Sequence, residues 1–99
     1  MYANKMNISK IFGVSPPTVY KRLEGIRNEM GEGKRYNPYA ILENLVSIEV
    51  YADYEKYRKR LADKNFRKTV PPFNMAAARE YLEEEGYLHM TCQKPSAPF

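Results

Sequence analysis

The segment Gly13-Val14-Ser15-Pro16-Pro17 constrains the fold more than any other part of the sequence. Two prolines in a helix interior would break it, whereas the first helical turn tolerates them because its N–H groups have no intrahelical partner. Ser15 is a favourable N-cap, and Gly13 suits the positive φ of a tight turn that ends a preceding helix. The segment therefore predicts that one short helix ends near Phe12 and that a second begins near Pro16.

Apolar spacing on either side of this turn supports two helices, one over residues 4–12 and one from about Pro16 to about Arg27. Apolar residues three and four positions apart line one face of a helix. The residues with this spacing are Met6, Ile8, Ile11 and Phe12 in the first helix and Val19, Leu23 and Ile26 in the second. Each helix therefore has one face to bury.

Residues 28–36 carry two glycines around one glutamate, which is turn chemistry. Short stretches that can pair lie before and after these glycines, at 26–30 and 34–36. We interpret the segment as a small β-hairpin that completes a first unit over residues 1–36.

A long helix is predicted over residues 37–64, because Asn37-Pro38 repeats the signal of an N-cap followed by a first-turn proline. Two apolar stripes follow, Ile41, Leu45, Ile48 and Ala52 in the first and Val46, Val50, Tyr54, Tyr57 and Leu61 in the second. A helix that reaches about Asp63 would be roughly 40 Å long, more than a domain of this size can cover. The second stripe therefore predicts a homodimer or higher homo-oligomer. In the alternative interpretation, the β-branched residues between Leu45 and Tyr51 form a strand.

The remaining chain divides into three parts. Pro71-Pro72 predicts a stiff, extended linker over residues 65–73. Asn74 can cap a short helix over residues 74–86 that Gly86 would end. Residues 87–99 are expected to form a flexible tail, with a possible protein partner for this C-terminal region.

Composition excludes several classes of protein. The 99 residues carry a formal net charge of +4, and residues 1–36 alone carry seven basic and three acidic side chains. Cys92 and His89 are the only residues of their types, so the sequence predicts no disulfide, no metal site and no cofactor. No apolar run could span a membrane and no signal peptide is apparent, which predicts a cytoplasmic protein without a membrane partner. We interpret the basic cluster of residues 56–60 as a solvated helix face rather than a second binding site.

The stretch from Ile8 to Leu23 reads Ile-Ser-Lys-Ile-Phe-Gly-Val-Ser-Pro-Pro-Thr-Val-Tyr-Lys-Arg-Leu. Its Gly-Val-Ser-x-x-Thr-Val core resembles that of bacterial helix-turn-helix proteins, and with the predicted hairpin it resembles their winged-helix branch. That branch includes regulators of the mercury-resistance type, excisionases and small terminase subunits of tailed phages. The resemblance covers roughly residues 4–60. It implies a mainly α fold, with a winged helix-turn-helix followed by a long helix and a short C-terminal helix.

The resemblance also implies that the second helix enters the major groove of double-stranded DNA. Residues placed to approach bases are Pro17, Thr18, Tyr20 and Lys21, those placed near phosphates are Lys10, Ser15, Arg22, Arg27 and, as an alternative role, Thr18, and those on the wing are Lys34, Arg35 and Tyr36. Many members have an apolar or aromatic residue at the position of Arg22. Either the helix is rotated slightly or Arg22 reaches the phosphates.

The sequence contains no catalytic constellation. Gly31-Glu32-Gly33-Lys34 lacks the spacing and the preceding strand of a phosphate-binding loop, and no nucleophile lies beside a base. We therefore expect a sequence-specific DNA-binding protein that is not an enzyme, such as a transcriptional regulator or excisionase-like factor of a phage or mobile element. The alternatives are a DNA-packaging adaptor like a small terminase subunit and a protein-interaction module on the same scaffold.

Overall fold

Four helices and a small antiparallel sheet form residues 1–87, the part of the chain that the computed structural model describes. The helices are α1 (Lys5–Phe12), α2 (Pro16–Asn28), α3 (Ile48–Ala62) and α4 (Met75–Glu84), and a 3-10 helix covers Arg67–Thr69. The strands are β1 (Tyr2–Asn4), β2 (Ile41–Leu42) and β3 (Leu45–Ser47), in the spatial order β1-β3-β2. Apart from Tyr87, the predicted tail lies outside the described residues, as do His89 and Cys92.

Side-chain caps begin the helices where the sequence predicts them. The Ser15 Oγ accepts a hydrogen bond from the Thr18 N–H (3.4 Å), and the Asn74 Oδ1 accepts one from the Ala77 N–H (2.9 Å). Gly13 ends α1 in the left-handed region, with a φ of 65°. These local signals confirm where α1 ends and where α2 and α4 begin.

The predicted hairpin over residues 28–36 is wrong. A single bridge joins Met30 and Tyr36, and no strand forms in this segment. The Gly31 N–H donates to the Tyr36 carbonyl (2.9 Å) and the Tyr36 N–H donates to the Glu29 carbonyl (2.8 Å), which closes a tight loop. The hairpin lies further on, where β2 and β3 pair across the two-residue turn Glu43-Asn44.

The predicted helix over residues 37–64 is also wrong in its first third. α3 begins at Ile48, because the Ser47 Oγ accepts a hydrogen bond from the Val50 N–H (3.3 Å). The 15 residues of α3 span about 22 Å. The Asn37 side chain accepts a hydrogen bond from the Tyr39 N–H (2.8 Å), so it caps a local turn instead of a helix. The alternative interpretation as a strand holds for Leu45–Ser47.

Neighbouring helices of the same chain cover both sides of α3. α2 packs on one side, α4 on the other, and Val50 and Leu61 of the second stripe are buried. The oligomer was expected because a 40 Å helix would outreach its domain, and α3 does not. The oligomeric state stays a prediction without that support.

A buried carboxylate joins three parts of the chain beside the sheet. Glu49 is fully buried, and its oxygens accept hydrogen bonds from the Met1 ammonium (3.0 Å) and from the Arg79 Nε (3.0 Å). Burial alone raises the pKa of Glu49, but these donors and its own backbone N–H outweigh it and lower the pKa. The carboxylate therefore fastens β1 and α4 to the start of α3.

Candidate nucleic-acid interface

The turn between α1 and α2 is short and closely packed. The Val14 N–H donates to the Ser9 carbonyl (3.1 Å), and the Ser9 hydroxyl returns a hydrogen bond to the Val14 carbonyl. Ile8, Phe12 and Val19 lie on the apolar faces that the helical spacing predicts and are buried, and Val14 of the turn is partly buried against them. This packing fixes the direction in which α2 leaves the turn.

One face of α2 is open to solvent. Spacings of three, four and seven residues place its members on one side of a helix. The exposed residues on this side, which we call the outer face, are Pro17, Tyr20, Lys21, Glu24 and Arg27. Lys10 of α1 is also exposed. Five of the predicted contact residues are therefore accessible on or beside α2.

The N-terminus of α2 presents two hydroxyl groups. The Ser15 Oγ lies 3.0 Å from the Thr18 Oγ1, and Ser15 is exposed. A helix N-terminus attracts anions, because its free N–H groups and the helix dipole both favour negative charge. Ser15 and Thr18 are placed where a phosphate oxygen could replace their mutual hydrogen bond.

Two predicted wing contacts, Arg35 and Tyr36, are directed inward instead. Asp53 on α3 accepts hydrogen bonds from the Arg35 Nε (2.8 Å), the Arg35 Nη2 (2.9 Å) and the Tyr36 hydroxyl (2.6 Å). Tyr36 is 1% exposed, and the Arg35 side chain is 8% exposed. Neither side chain can reach DNA without breaking this cluster, so both predictions are wrong.

The pKa values of this cluster follow from its burial and pairing. Burial, and then the hydrogen bond to Asp53 and its charge, raise the pKa of Tyr36 far above the ordinary value. Burial by itself lowers the pKa of Arg35, but Asp53 more than offsets this and the pKa is raised. Sequence reasoning missed Asp53, whose one signal is a carboxylate inside the apolar stripe, three residues after Val50 and four before Tyr57.

Arg22 and Lys34 have different surroundings. The Arg22 Nε donates to the Glu55 carboxylate of α3 (3.2 Å), and the side chain is 21% exposed. This ion pair directs Arg22 toward α3 and away from the outer face, and its role as a phosphate contact stays a prediction. The Lys34 Nζ is exposed and donates to the Asn28 carbonyl at the end of α2 (3.3 Å), where a phosphate could compete for it.

The hairpin that does form carries no cation. Its turn is Glu43-Asn44, and its exposed apolar side chains are Leu42 and Leu45, with Tyr2 on the neighbouring β1. Any wing-like contact of this hairpin with a phosphate backbone would therefore lack charge attraction. The exposed cations among the predicted DNA contacts lie instead on α1 and α2 and, at Lys34, on the loop after α2.

The chain matches no protein-family model, no curated protein and no solved structure. Within residues 1–87, every helix is too short or too polar to cross a bilayer.

Proposed function

We propose that this chain is a winged helix-turn-helix protein that binds double-stranded DNA, with α2 in the major groove. The observation that carries the proposal is the outer face of α2. It combines a capped, hydroxyl-bearing N-terminus with two exposed cations, Lys21 and Arg27, on a helix that α1 and α3 hold rigidly from behind.

The dimensions of α2 suit this role. Thirteen residues make a helix of about 20 Å, and the major groove, about 12 Å wide, accepts one helix. Pro17, Tyr20 and Lys21 at the start of α2 would face base edges, while Ser15, Thr18, Lys10, Arg27 and Lys34 would face phosphates. The β2–β3 hairpin takes the wing position, since it follows the helix pair and pairs with β1 through β3.

A salt titration of binding to a labelled mixed-sequence duplex tests the proposal. Binding should be measurable at low salt and should weaken steeply as salt rises, because each phosphate that a cation neutralises releases counterions. Arg27→Gln, which removes a predicted phosphate contact, should reduce the steepness of log affinity against log salt by about 0.9. If Lys21 reads a base, Lys21→Ala should also cost about 1–3 kcal/mol at one base position. Absence of binding at low salt would overturn the proposal.

A matched pair of glutamates locates the surface. Glu24 lies on the outer face of α2, whereas Glu83 is exposed on α4. Glu24→Gln removes a repulsion from phosphates and should tighten binding several-fold, whereas Glu83→Gln should leave it unchanged. Equal effects of the two substitutions would show that net charge, and not the α2 surface, determines the affinity.

One observation favours a second candidate, a protein-interaction module. Tyr2, Leu42 and Leu45 expose apolar area together on the outer side of the sheet, and exposed apolar patches mark binding surfaces for proteins. Retained partner binding by a chain that shows no affinity for DNA would support this candidate.

The oligomeric state distinguishes the two DNA-binding roles. A ring-shaped oligomer would indicate a packaging adaptor, and a dimer on a palindromic site would indicate a regulator.

A further inference from the structure

The strongest positive charge of the chain does not lie on α2. Residues 56–68, here called the basic segment, carry seven basic side chains and one acidic side chain. The rest of the chain carries nine basic and eleven acidic side chains. The net positive charge of the protein therefore originates in the second half of α3 and the 3-10 helix.

Arginines of the basic segment hold its shape. The Arg60 Nη2 donates to the Thr69 carbonyl and to the Thr69 hydroxyl, each at 2.9 Å. The Arg67 Nη1 donates to the Leu61 carbonyl (2.7 Å). These bonds fasten the 3-10 helix against the end of α3, so the segment is a folded surface and not a charged tail.

Three of the four lysines of the same segment have no polar or aromatic partner among residues 1–87. Lys59, Lys64 and Lys68 are exposed, and within residues 1–87 no hydrogen bond, ion pair or aromatic contact engages their side chains. Lys56 differs, because its ammonium lies 5.2 Å from the centre of the Tyr81 ring. Three strongly hydrated point charges on an ordered surface are suited to a polyanion.

An ion pair places the basic segment beside α2. The Arg67 guanidinium pairs with both oxygens of Glu29, at 2.7 and 3.0 Å, and Glu29 is the C-cap of α2. α2 is about 20 Å long, whereas the major groove is about 12 Å wide. If α2 enters the groove with its N-terminus first, its C-terminal end therefore lies near the phosphate backbone. The basic segment thus lies next to the point at which α2 would leave the groove.

We propose that Lys59, Lys64 and Lys68 form a second phosphate-binding surface, which extends the DNA contact of α2 along the backbone. This inference rests on the proposed function of α2. It replaces the interpretation of residues 56–60 as a merely solvated helix face. The surface supplies affinity without sequence preference, because it reaches phosphates and not base edges.

The test compares salt slopes of the full chain and of the triple variant K59Q/K64Q/K68Q on a labelled mixed-sequence duplex. Loss of three phosphate contacts should lower the slope of log affinity against log salt by about 2.7. The wild-type chain should then lose about 40 times more affinity than the variant between 50 and 200 mM salt. The triple variant should melt close to the wild-type temperature, because within residues 1–87 these side chains make no hydrogen bond, ion pair or aromatic contact.

A charge-balanced variant separates this surface from net charge. Glu83, Glu84 and Glu85 are exposed at the end of α4, so adding E83Q/E84Q/E85Q to the triple variant restores the wild-type net charge. The proposal predicts that the slope stays low in this variant and that K59R/K64R/K68R keeps the wild-type slope. Recovery of the wild-type slope in the charge-balanced variant would overturn the proposal.

The outcomes also distinguish this inference from the proposed function. If the wild-type chain binds duplex DNA and the triple variant has the same slope, the second surface is refuted and the α2 interface stands. If the wild-type chain does not bind DNA at 50 mM salt, the proposed function itself fails. If the triple substitution abolishes binding to phosphatidylserine vesicles but leaves the DNA slope unchanged, the surface belongs to a membrane and the proposal is overturned.

Discussion

Gly25 is the position at which the packing of α2 on α3 can be tested most sharply. A Cβ at Gly25 would lie 1.8 Å from the Tyr54 Oη and 2.4 Å from its Cζ. Tyr54 is half-buried, and its rigid ring would have to move by roughly 1 Å or more to restore a normal carbon–carbon contact. Overpacking of this kind costs about 1–3 kcal/mol. Replacement of a helical glycine by alanine otherwise gains about 1 kcal/mol.

The two effects predict a reversal of sign. Gly25→Ala should destabilise the wild-type chain by up to about 2 kcal/mol, because the clash exceeds the gain in helix propensity. In a Tyr54→Ala background the clash is absent, so the same substitution should stabilise by about 1 kcal/mol. Urea unfolding of the four proteins, followed by circular dichroism, measures the coupling. Stabilisation by Gly25→Ala in both backgrounds would refute the close contact between α2 and α3.

Three further predictions concern stability. Asp53→Asn should cost about 3–5 kcal/mol in urea unfolding, because it leaves the buried charge of Arg35 without its partner. Glu43→Gly should stabilise by up to about 1 kcal/mol, because Glu43 has a φ of 44° and relief of left-handed strain of about 1–2 kcal/mol exceeds the entropy cost of glycine, about 0.5–1 kcal/mol. A loss of stability would contradict the turn. Burial raises the pKa of Tyr81 to about 12 and that of Tyr36 further. The stability that burial of the neutral tyrosines provides should be complete below pH 10, and above pH 10 it should fall by about 1 kcal/mol per pH unit for each tyrosine. In thermal melts at alkaline pH, Tyr36→Phe should show a smaller fall in stability than the wild type.

Local chemistry made the helix pair predictable. Ser15 and Asn74 cap helices through atoms only three residues away, and Gly13 supplies the left-handed residue that ends α1. Such interactions involve neighbours in sequence, so the sequence alone displays both partners. The apolar faces of α1 and α2 follow from helical periodicity in the same way.

The same capping signal gave a wrong prediction at Asn37-Pro38. The Asn37 side chain does accept a backbone hydrogen bond, but from Tyr39 in a turn, and the residues that follow pair in a sheet. β3 forms because it pairs with β1, which precedes it by some forty residues. Apolar residues at helical spacing on both sides of Leu45 favoured a helix, and this periodicity does not reveal that Leu45 and its neighbours pair with the distant β1.

Long-range partners also explain the errors at the candidate site. Arg35 and Tyr36 look like exposed wing residues until Asp53, which lies 18 and 17 residues further along the chain, draws both inward. Arg22 is similarly engaged by Glu55, 33 residues away. Ion pairs between distant elements determine which cations stay available on the surface, and spacing in the sequence does not indicate such pairs.

Binding of double-stranded DNA by α2 can be measured by titrating the ¹⁵N-labelled chain with a mixed-sequence duplex at low salt and following the backbone amide signals. We expect the largest shifts at Ser15, Thr18 and Lys21, at the start of α2, and only small shifts of the amides of α4. Shifts confined to Tyr2, Leu42 and the rest of the sheet, or no shifts at all, would contradict binding through α2.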